Sequence, residues 1–144
     1  MAGDGELLDT CQERITREGL PVKILGWVSD IEKVLSAADL VILTSDNEGT
    51  PLSLIQAGMA GLPVVTTNVG SVPEIVLDGK TGLITGLDVD EIADAIEKLV
   101  HSRELRATLG SAAQEFTTAN FGVKRLVSDH ENLYKKLLAN RARS

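Results

Sequence analysis

One stretch in the middle of the chain, residues 45–65, constrains the fold more than any other part of the sequence. An apolar run at residues 40–43 leads into a polar loop that contains Glu48 and a Gly-Thr-Pro turn. A helix is then predicted from Pro51 to about Ala60, and a Gly-Leu-Pro break precedes a second apolar strand at residues 64–66. This strand–loop–helix–strand order predicts an open α/β sheet, with unpaired backbone N–H groups at the start of a helix.

The junction just before Pro51 is predicted to bind a ligand. Backbone N–H groups at the start of a helix attract phosphate, and the Glu48 carboxylate can accept hydrogen bonds from hydroxyl groups. The two functions side by side are what a nucleotide-sugar needs. An isolated loop carboxylate is more often simply solvated, but the position of Glu48 between a buried strand and a helix start favours the ligand role.

Composition narrows the class of protein. The chain has 144 residues, 43% of them hydrophobic, which fits one globular domain. Its net charge of −7, without a basic stripe, argues against a nucleic-acid partner. Cys11 is alone and cannot form an internal disulfide, and there is no signal peptide or membrane-length apolar run. We therefore expect a cytoplasmic protein without a membrane span, which leaves peripheral membrane association of a longer chain open.

Strands alternate with helices along the sequence, which predicts a three-layer, Rossmann-like parallel sheet with helices on both faces and a helical C-terminal end. The Gly3-Asp4-Gly5 turn has no strand in front of it, which indicates a piece of a longer protein. The further predicted elements are a helix at 6–18, a strand at 22–25 followed by a packed Trp27, a helix after Asp30, strands at 40–43 and 82–84, a helical turn at 73–77, and helices beyond Leu87, the last of them, with apolar residues from Val123 to Leu138, being the longest.

These residues, taken in order, resemble the C-terminal, donor-binding half of a family 4 retaining glycosyltransferase, whose GT-B fold has two Rossmann-like domains. The resemblance covers most of the chain. It implies that residues 1–144 form one nucleotide-sugar-binding domain, with its first strands and an N-terminal acceptor domain missing. The segments that carry it are Gly3-Asp4-Gly5, Gly26-Trp27-Val28, and residues 36–40, 45–65, 69–76 and 78–84.

The resemblance also implies roles for single residues. Glu48 opens a Glu-x7-Glu motif and is the expected catalytic residue, placed against sugar hydroxyls near the reacting carbon. The second motif position holds Gln56, an amide that can still hydrogen-bond the ribose diol but brings no charge. The expected donor-binding residues are Gly49, Thr50, Pro51, Leu52, Gln56, Val28 beside the nucleobase, and Gly70; no metal ligand and no cofactor is expected.

The implied reaction keeps the anomeric configuration of the sugar. In the family, an Arg and a Lys upstream of the Gly3-Asp4-Gly5 turn stabilise the leaving diphosphate, so we expect these 144 residues to bind donor without transferring it. Two alternatives stay open: a non-catalytic nucleotide- or sugar-binding module with a lapsed motif at Gln56, and half of a non-hydrolysing sugar-nucleotide epimerase.

The last helix has two interpretations. Its apolar stripe packs on its own sheet in a free-standing domain. In the resembled family the terminal helix contacts the partner domain, which would leave Leu133, Tyr134, Leu137 and Leu138 exposed here.

Overall fold

Three short apolar segments form a parallel sheet. In the computed structural model, which describes residues 1–141, the strands are β1 (Val41–Leu43), β2 (Val64–Thr67) and β3 (Gly82–Thr85), in the spatial order β1-β2-β3. Val41 lies opposite Val64, and Val64 lies opposite Gly82. All four residues of the central strand β2 are buried, which is why its sequence shows no alternation of polar and apolar positions.

Helices make up most of the remaining chain. They are α1 (Leu8–Glu18), α2 (Ile31–Ser36), α3 (Leu52–Met59), α4 (Val72–Ile75), α5 (Val89–His101), α6 (Arg103–Phe121) and α7 (Val123–Arg141). Asp88 caps α5 by accepting hydrogen bonds from the N–H groups of Asp90 and Glu91, at 3.0 and 3.1 Å. Within residues 1–141, α6 and α7 both have 19 residues, so the last helix, predicted to be the longest, equals α6 in length there.

The hydrophobic core lies where β2 meets the helices that follow the sheet. Val65 of β2, Leu99 of α5 and Leu109 of α6 are at most 2% exposed and form its centre. Partly buried aliphatic side chains surround them, namely Leu40, Leu83, Ala95, Ile96 and Leu105. Aliphatic burial therefore supplies the packing in a chain with only 3% aromatic residues. The predicted α/β class, a parallel sheet with packed helices, is confirmed.

Helices α3 and α6 approach each other closely at two glycines. A Cβ atom on Gly58 would overlap the Cγ2 methyl group of Thr117, and one on Gly110 would overlap the carbonyl oxygen of Gly61. The Thr117 hydroxyl group donates to the Ala113 carbonyl oxygen at 2.7 Å, so the orientation of that side chain is fixed. This contact holds α3, and therefore the loop before it, against the rest of its unit.

The chain divides into two compact units, residues 1–34 and 35–144. The first unit contains α1, which ends at Gly19 in the left-handed conformation, with φ +63°. The strand predicted at residues 22–25 is not formed. The N–H of Leu25 donates to the Met1 carbonyl oxygen and the N–H of Gly3 donates to the Gly26 carbonyl oxygen, but these bonds do not make a regular ladder. Trp27 is 79% exposed, so its predicted packing at a strand end is also wrong.

Helix α7 buries none of its described residues. The apolar side chains along it are half or more exposed: Val123, Leu126, Val127, Leu133, Tyr134, Leu137 and Leu138. Its apolar stripe therefore does not pack on the sheet. Leu133, Tyr134, Leu137 and Leu138 are exposed, as the second interpretation of this helix expected. No helix within residues 1–141 is long and apolar enough to cross a bilayer.

Candidate functional site

The loop between β1 and α3 carries Glu48. The strand ends at Leu43 and the helix begins at Leu52. Pro51, predicted as the first residue of the helix, is instead the residue that precedes and caps it. Pro51 has an extended ψ of 99°, and no side chain caps the helix. The N–H groups of Leu52 and Ser53 have no backbone acceptor within residues 1–141, whereas the N–H of Leu54 donates to the Pro51 carbonyl oxygen at 3.1 Å. Free donors therefore lie at the start of α3, as predicted.

A second loop, residues 68–71, follows β2 and lies against the first. Because β1 and β2 are parallel neighbours, their carboxyl ends meet at the same edge of the sheet. The Thr67 hydroxyl group donates to the Ser45 carbonyl oxygen at 2.6 Å. The Ser71 hydroxyl group donates to the Gly49 carbonyl oxygen. The hydroxyl groups of Thr67, the last residue of β2, and of Ser71 thus hold the main chain of the first loop.

Gly70 lies directly beside the main chain of Glu48. Its φ of +51° is in the left-handed region, and a Cβ atom at this position would overlap the Glu48 carbonyl oxygen. Both features require glycine here. The sequence predicted Gly70 and Glu48 for the same site, and the structure brings their backbones into contact.

The Glu48 side chain is half-buried and forms no ion pair within residues 1–141. Ser45 Oγ donates to Glu48 Oε1 at 2.6 Å, a short distance typical of a hydroxyl group bound to a carboxylate. The carboxylate is therefore oriented by a neutral donor and keeps its charge uncompensated. A partly exposed carboxylate in this state can accept hydroxyl groups from a ligand.

The other predicted donor-binding residues fall into two groups. Gly49, Thr50, Pro51 and Leu52 lie between Glu48 and α3, and three of them are exposed while Pro51 is buried. Gln56 lies one helical turn after Leu52 and is half-buried. Val28 belongs to the first unit, where it is half-buried after Gly26 and Trp27.

Sequence reasoning missed the hydroxyl groups that support Glu48, namely those of Ser45, Thr67 and Ser71. One signal pointed to them: polar residues follow two adjacent apolar strands, whose carboxyl ends must meet in a parallel sheet. As for metal ions, no group of three His, Cys, Asp or Glu side chains in the described part of the chain is arranged to hold one.

Comparisons with known proteins identify the family. The sequence profile of the family described as glycosyl transferases group 1 matches residues 1–116. N-acetyl-alpha-D-glucosaminyl L-malate synthase of Bacillus anthracis is 28% identical over 141 residues, which are 96% of this chain and 37% of that protein. The chain spans less than half the length of the curated relatives that it matches.

Solved structures show the same fold. HepE of Anabaena in complex with UDP superposes with a TM-score of 0.84 at 29% identity, over 96% of this chain and 40% of that one. HepE in complex with UDP-glucose gives a TM-score of 0.80 at 28% identity, over 96% and 40% of the two chains. The C-terminal domain of a group 1 glycosyl transferase, LpcC of Francisella tularensis, gives 0.71 at 25% identity, over 83% of this chain and 66% of that chain.

Proposed function

Because this chain belongs to the glycosyl transferases group 1 family, we propose that it is the donor-binding part of a retaining glycosyltransferase and binds a nucleoside-diphosphate sugar beside Glu48. Its α/β fold matches half of a GT-B enzyme, and a similar structure, HepE, is solved with UDP and with UDP-glucose. The single observation that carries the proposal is the carboxylate of Glu48, oriented by Ser45 and lying in the loop that leads into the free N–H groups of α3.

Each part of the donor has a matching group at this place. The N–H groups of Leu52 and Ser53, together with the dipole of α3, favour the negative charge of a diphosphate. The Glu48 carboxylate accepts hydrogen bonds from hydroxyl groups of the sugar ring. Gly49 and Gly70 present main chain without a side chain around that position, Thr50 offers its backbone N–H, and Pro51 fixes the turn between the loop and the helix.

We assign the nucleoside to the remaining predicted residues. Gln56 binds the ribose diol through its amide oxygen, which costs about 1–2 kcal/mol relative to a charged glutamate. Val28 contacts the nucleobase through its backbone. The assignment of both residues is supported by the family resemblance of the segments in which they lie.

The reaction is proposed to retain the anomeric configuration and to need neither a metal ion nor a cofactor. The acceptor is bound by a partner domain N-terminal to these residues, and the exposed apolar side chains of α7 contact that domain. The chain corresponds to 37% of its relative from B. anthracis and 40% of HepE. We therefore propose that the 144-residue chain alone binds donor but does not transfer sugar, and that the complete enzyme acts in the cytoplasm.

Calorimetric titration with UDP and UDP-glucose tests the donor site. We expect wild type to bind UDP-glucose more tightly than UDP, and Glu48→Ala to lose that difference while it keeps its affinity for UDP. Losing hydrogen bonds to a charged carboxylate corresponds to about 10- to 100-fold in affinity for the sugar nucleotide. Equal binding of both ligands by wild type would favour the non-catalytic nucleotide-binding module instead. Sugar transfer to an acceptor above the rate of Glu48→Ala would contradict the proposed inactivity of the isolated chain.

A further inference from the structure

We propose that Ser45 and Thr67 are positioning residues that hold the Glu48 carboxylate in one orientation, with one oxygen engaged and the other free for a ligand hydroxyl group. The hydrogen bonds that carry the proposal run from the centre of the sheet outward, from Thr67 to Ser45 and from Ser45 to Glu48. The consequence for sugar binding rests on the proposed function, whereas the orientation of Glu48 is a property of the free protein.

Thr67 is the fixed end of this chain of bonds. It is 1% exposed, lies at the end of the central strand β2 and pairs in register with Thr85 of β3. The next residue, Asn68, donates its N–H to the Thr85 carbonyl oxygen at 2.9 Å, so the strand stays paired up to this point. The hydroxyl bond of 2.6 Å to the Ser45 carbonyl oxygen therefore joins the first loop to a buried and paired end of the central strand.

Ser45 links Thr67 to the Glu48 carboxylate, because its carbonyl oxygen accepts from Thr67 and its hydroxyl group bonds Glu48. Its hydroxyl group has a single proton, and an ionised carboxylate can only accept, so Ser45 Oγ must donate to Glu48 Oε1. Engagement of Oε1 restricts the side-chain torsions of Glu48 and leaves Oε2 as the acceptor for a ligand. Glutamate loses much rotamer freedom when it is ordered, so a carboxylate that is ordered before binding costs the complex less.

The neighbouring threonine provides a matched control. Thr66 is also 1% exposed, but its Oγ1 atom has no hydrogen-bond partner among the described residues. Replacing either threonine with valine keeps the branched shape of the side chain and removes its hydroxyl group. Only Thr67→Val removes a bond to the loop that carries Glu48, so the two variants separate positioning from a general effect on β2.

The orientation of Glu48 is measured first without ligand, by NMR of the 144-residue chain. We expect wild type to show Hα–Hβ couplings of Glu48 typical of one χ1 rotamer. Ser45→Ala and Thr67→Val should give averaged couplings, whereas Thr66→Val and the hydroxyl-retaining Ser45→Thr should match wild type. Thermal unfolding checks that each variant is folded, and if Thr67→Val does not fold, Ser45→Ala decides. Averaged couplings in wild type, or unchanged couplings in Ser45→Ala, would overturn the proposal.

The second readout is binding of UDP and UDP-glucose to the same variants. Ser45→Ala should weaken UDP-glucose binding about 3- to 10-fold, the value of one hydrogen bond, and leave UDP binding unchanged. If Glu48→Ala weakens UDP-glucose binding and Ser45→Ala does not, the positioning role is wrong and the donor site stands. If Glu48→Ala has no effect, the donor site is wrong, and the couplings alone decide the role of Ser45.

Discussion

Around Glu48, the Ser45 hydroxyl group bonds the carboxylate, the Thr67 hydroxyl group bonds the Ser45 main chain, and Gly70 lies against the Glu48 main chain. The glycine, Gly70, contributes by letting its loop approach the main chain of Glu48, which no residue with a Cβ atom could do. Thr67 and Gly70 act on the main chain of the loop, whereas Ser45 acts on the half-buried side chain of Glu48. A small change in either loop should therefore alter ligand binding more than it alters the core.

Gly70→Ala tests this expectation, and Gly79→Ala is its matched control. Both glycines are left-handed, with φ +51° and +68°, but a Cβ atom on Gly79 would have open space around it. The left-handed conformation alone costs an alanine about 1–2 kcal/mol in the free energy of unfolding. Gly70→Ala should lose at least about 1 kcal/mol more through overpacking and should also weaken UDP-glucose binding. Equal losses in urea unfolding, with binding preserved in both variants, would contradict this role of Gly70.

The sequence predicted some of these residues and not others for physical reasons. Glu48 and Gly70 follow adjacent apolar strands, and the parallel topology alone places them at one edge of the sheet. The bond from Ser45 to Glu48 depends on the rotamers of two side chains in an irregular loop, which no hydrophobic periodicity encodes. The pairing of hydroxyl groups with particular carbonyl oxygens likewise depends on the conformation of the two loops.

At the level of the elements, apolar patterning predicted every strand of the sheet, but it also predicted a strand at residues 22–25 that is not formed. Residues 40–43, 64–66 and 82–84 were predicted as strands and form β1, β2 and β3 with end shifts of one residue. Residues 22–25 have the same aliphatic character, yet their main chain bonds the N-terminal Met1 through Lys23 and Leu25, and no regular strand forms. A strand needs a neighbour in register, and the local sequence does not report whether one is present.

Packing of α3 against α6 should be sensitive to a single methyl group. Gly58→Ala improves helix propensity by about 1 kcal/mol, but its Cβ atom would overlap Thr117 Cγ2. We expect a net loss of about 1–3 kcal/mol in the free energy of unfolding. In a Thr117→Ser background, which removes that methyl group and retains the hydroxyl bond to Ala113, the same substitution should be neutral or stabilising. Additive effects in this double-mutant cycle would show that the two side chains do not meet.

At the level of the whole molecule, the exposed stripe of α7 is the largest departure from a self-sufficient fold. The core around Val65, Leu99 and Leu109 is well buried, whereas α7 exposes every described apolar side chain by half or more. Such a surface is typical of a protein interface. The family profile matches residues 1–116 and so ends before this helix begins.

We expect the isolated chain to associate with itself through α7 as its concentration rises. Leu133→Lys and Leu137→Lys, at 52% and 55% exposure, should shift sedimentation toward the monomer without lowering thermal stability. Val100→Lys on α5, at a similar 55% exposure, is the matched control and should leave association unchanged. A chain that sediments as a monomer at all concentrations would show that α7 does not drive association.

The ties between the loops after β1 and β2 have a practical consequence for chimeras. The hydroxyl groups of Thr67 and Ser71 donate to the carbonyl oxygens of Ser45 and Gly49. Gly70 lies so close to the Glu48 backbone that no residue with a Cβ atom fits there. The two loops therefore form one matched pair. Grafting residues 44–51 from another transferase to change sugar preference would separate partners that fit each other. A transplant should exchange residues 67–71 together with them.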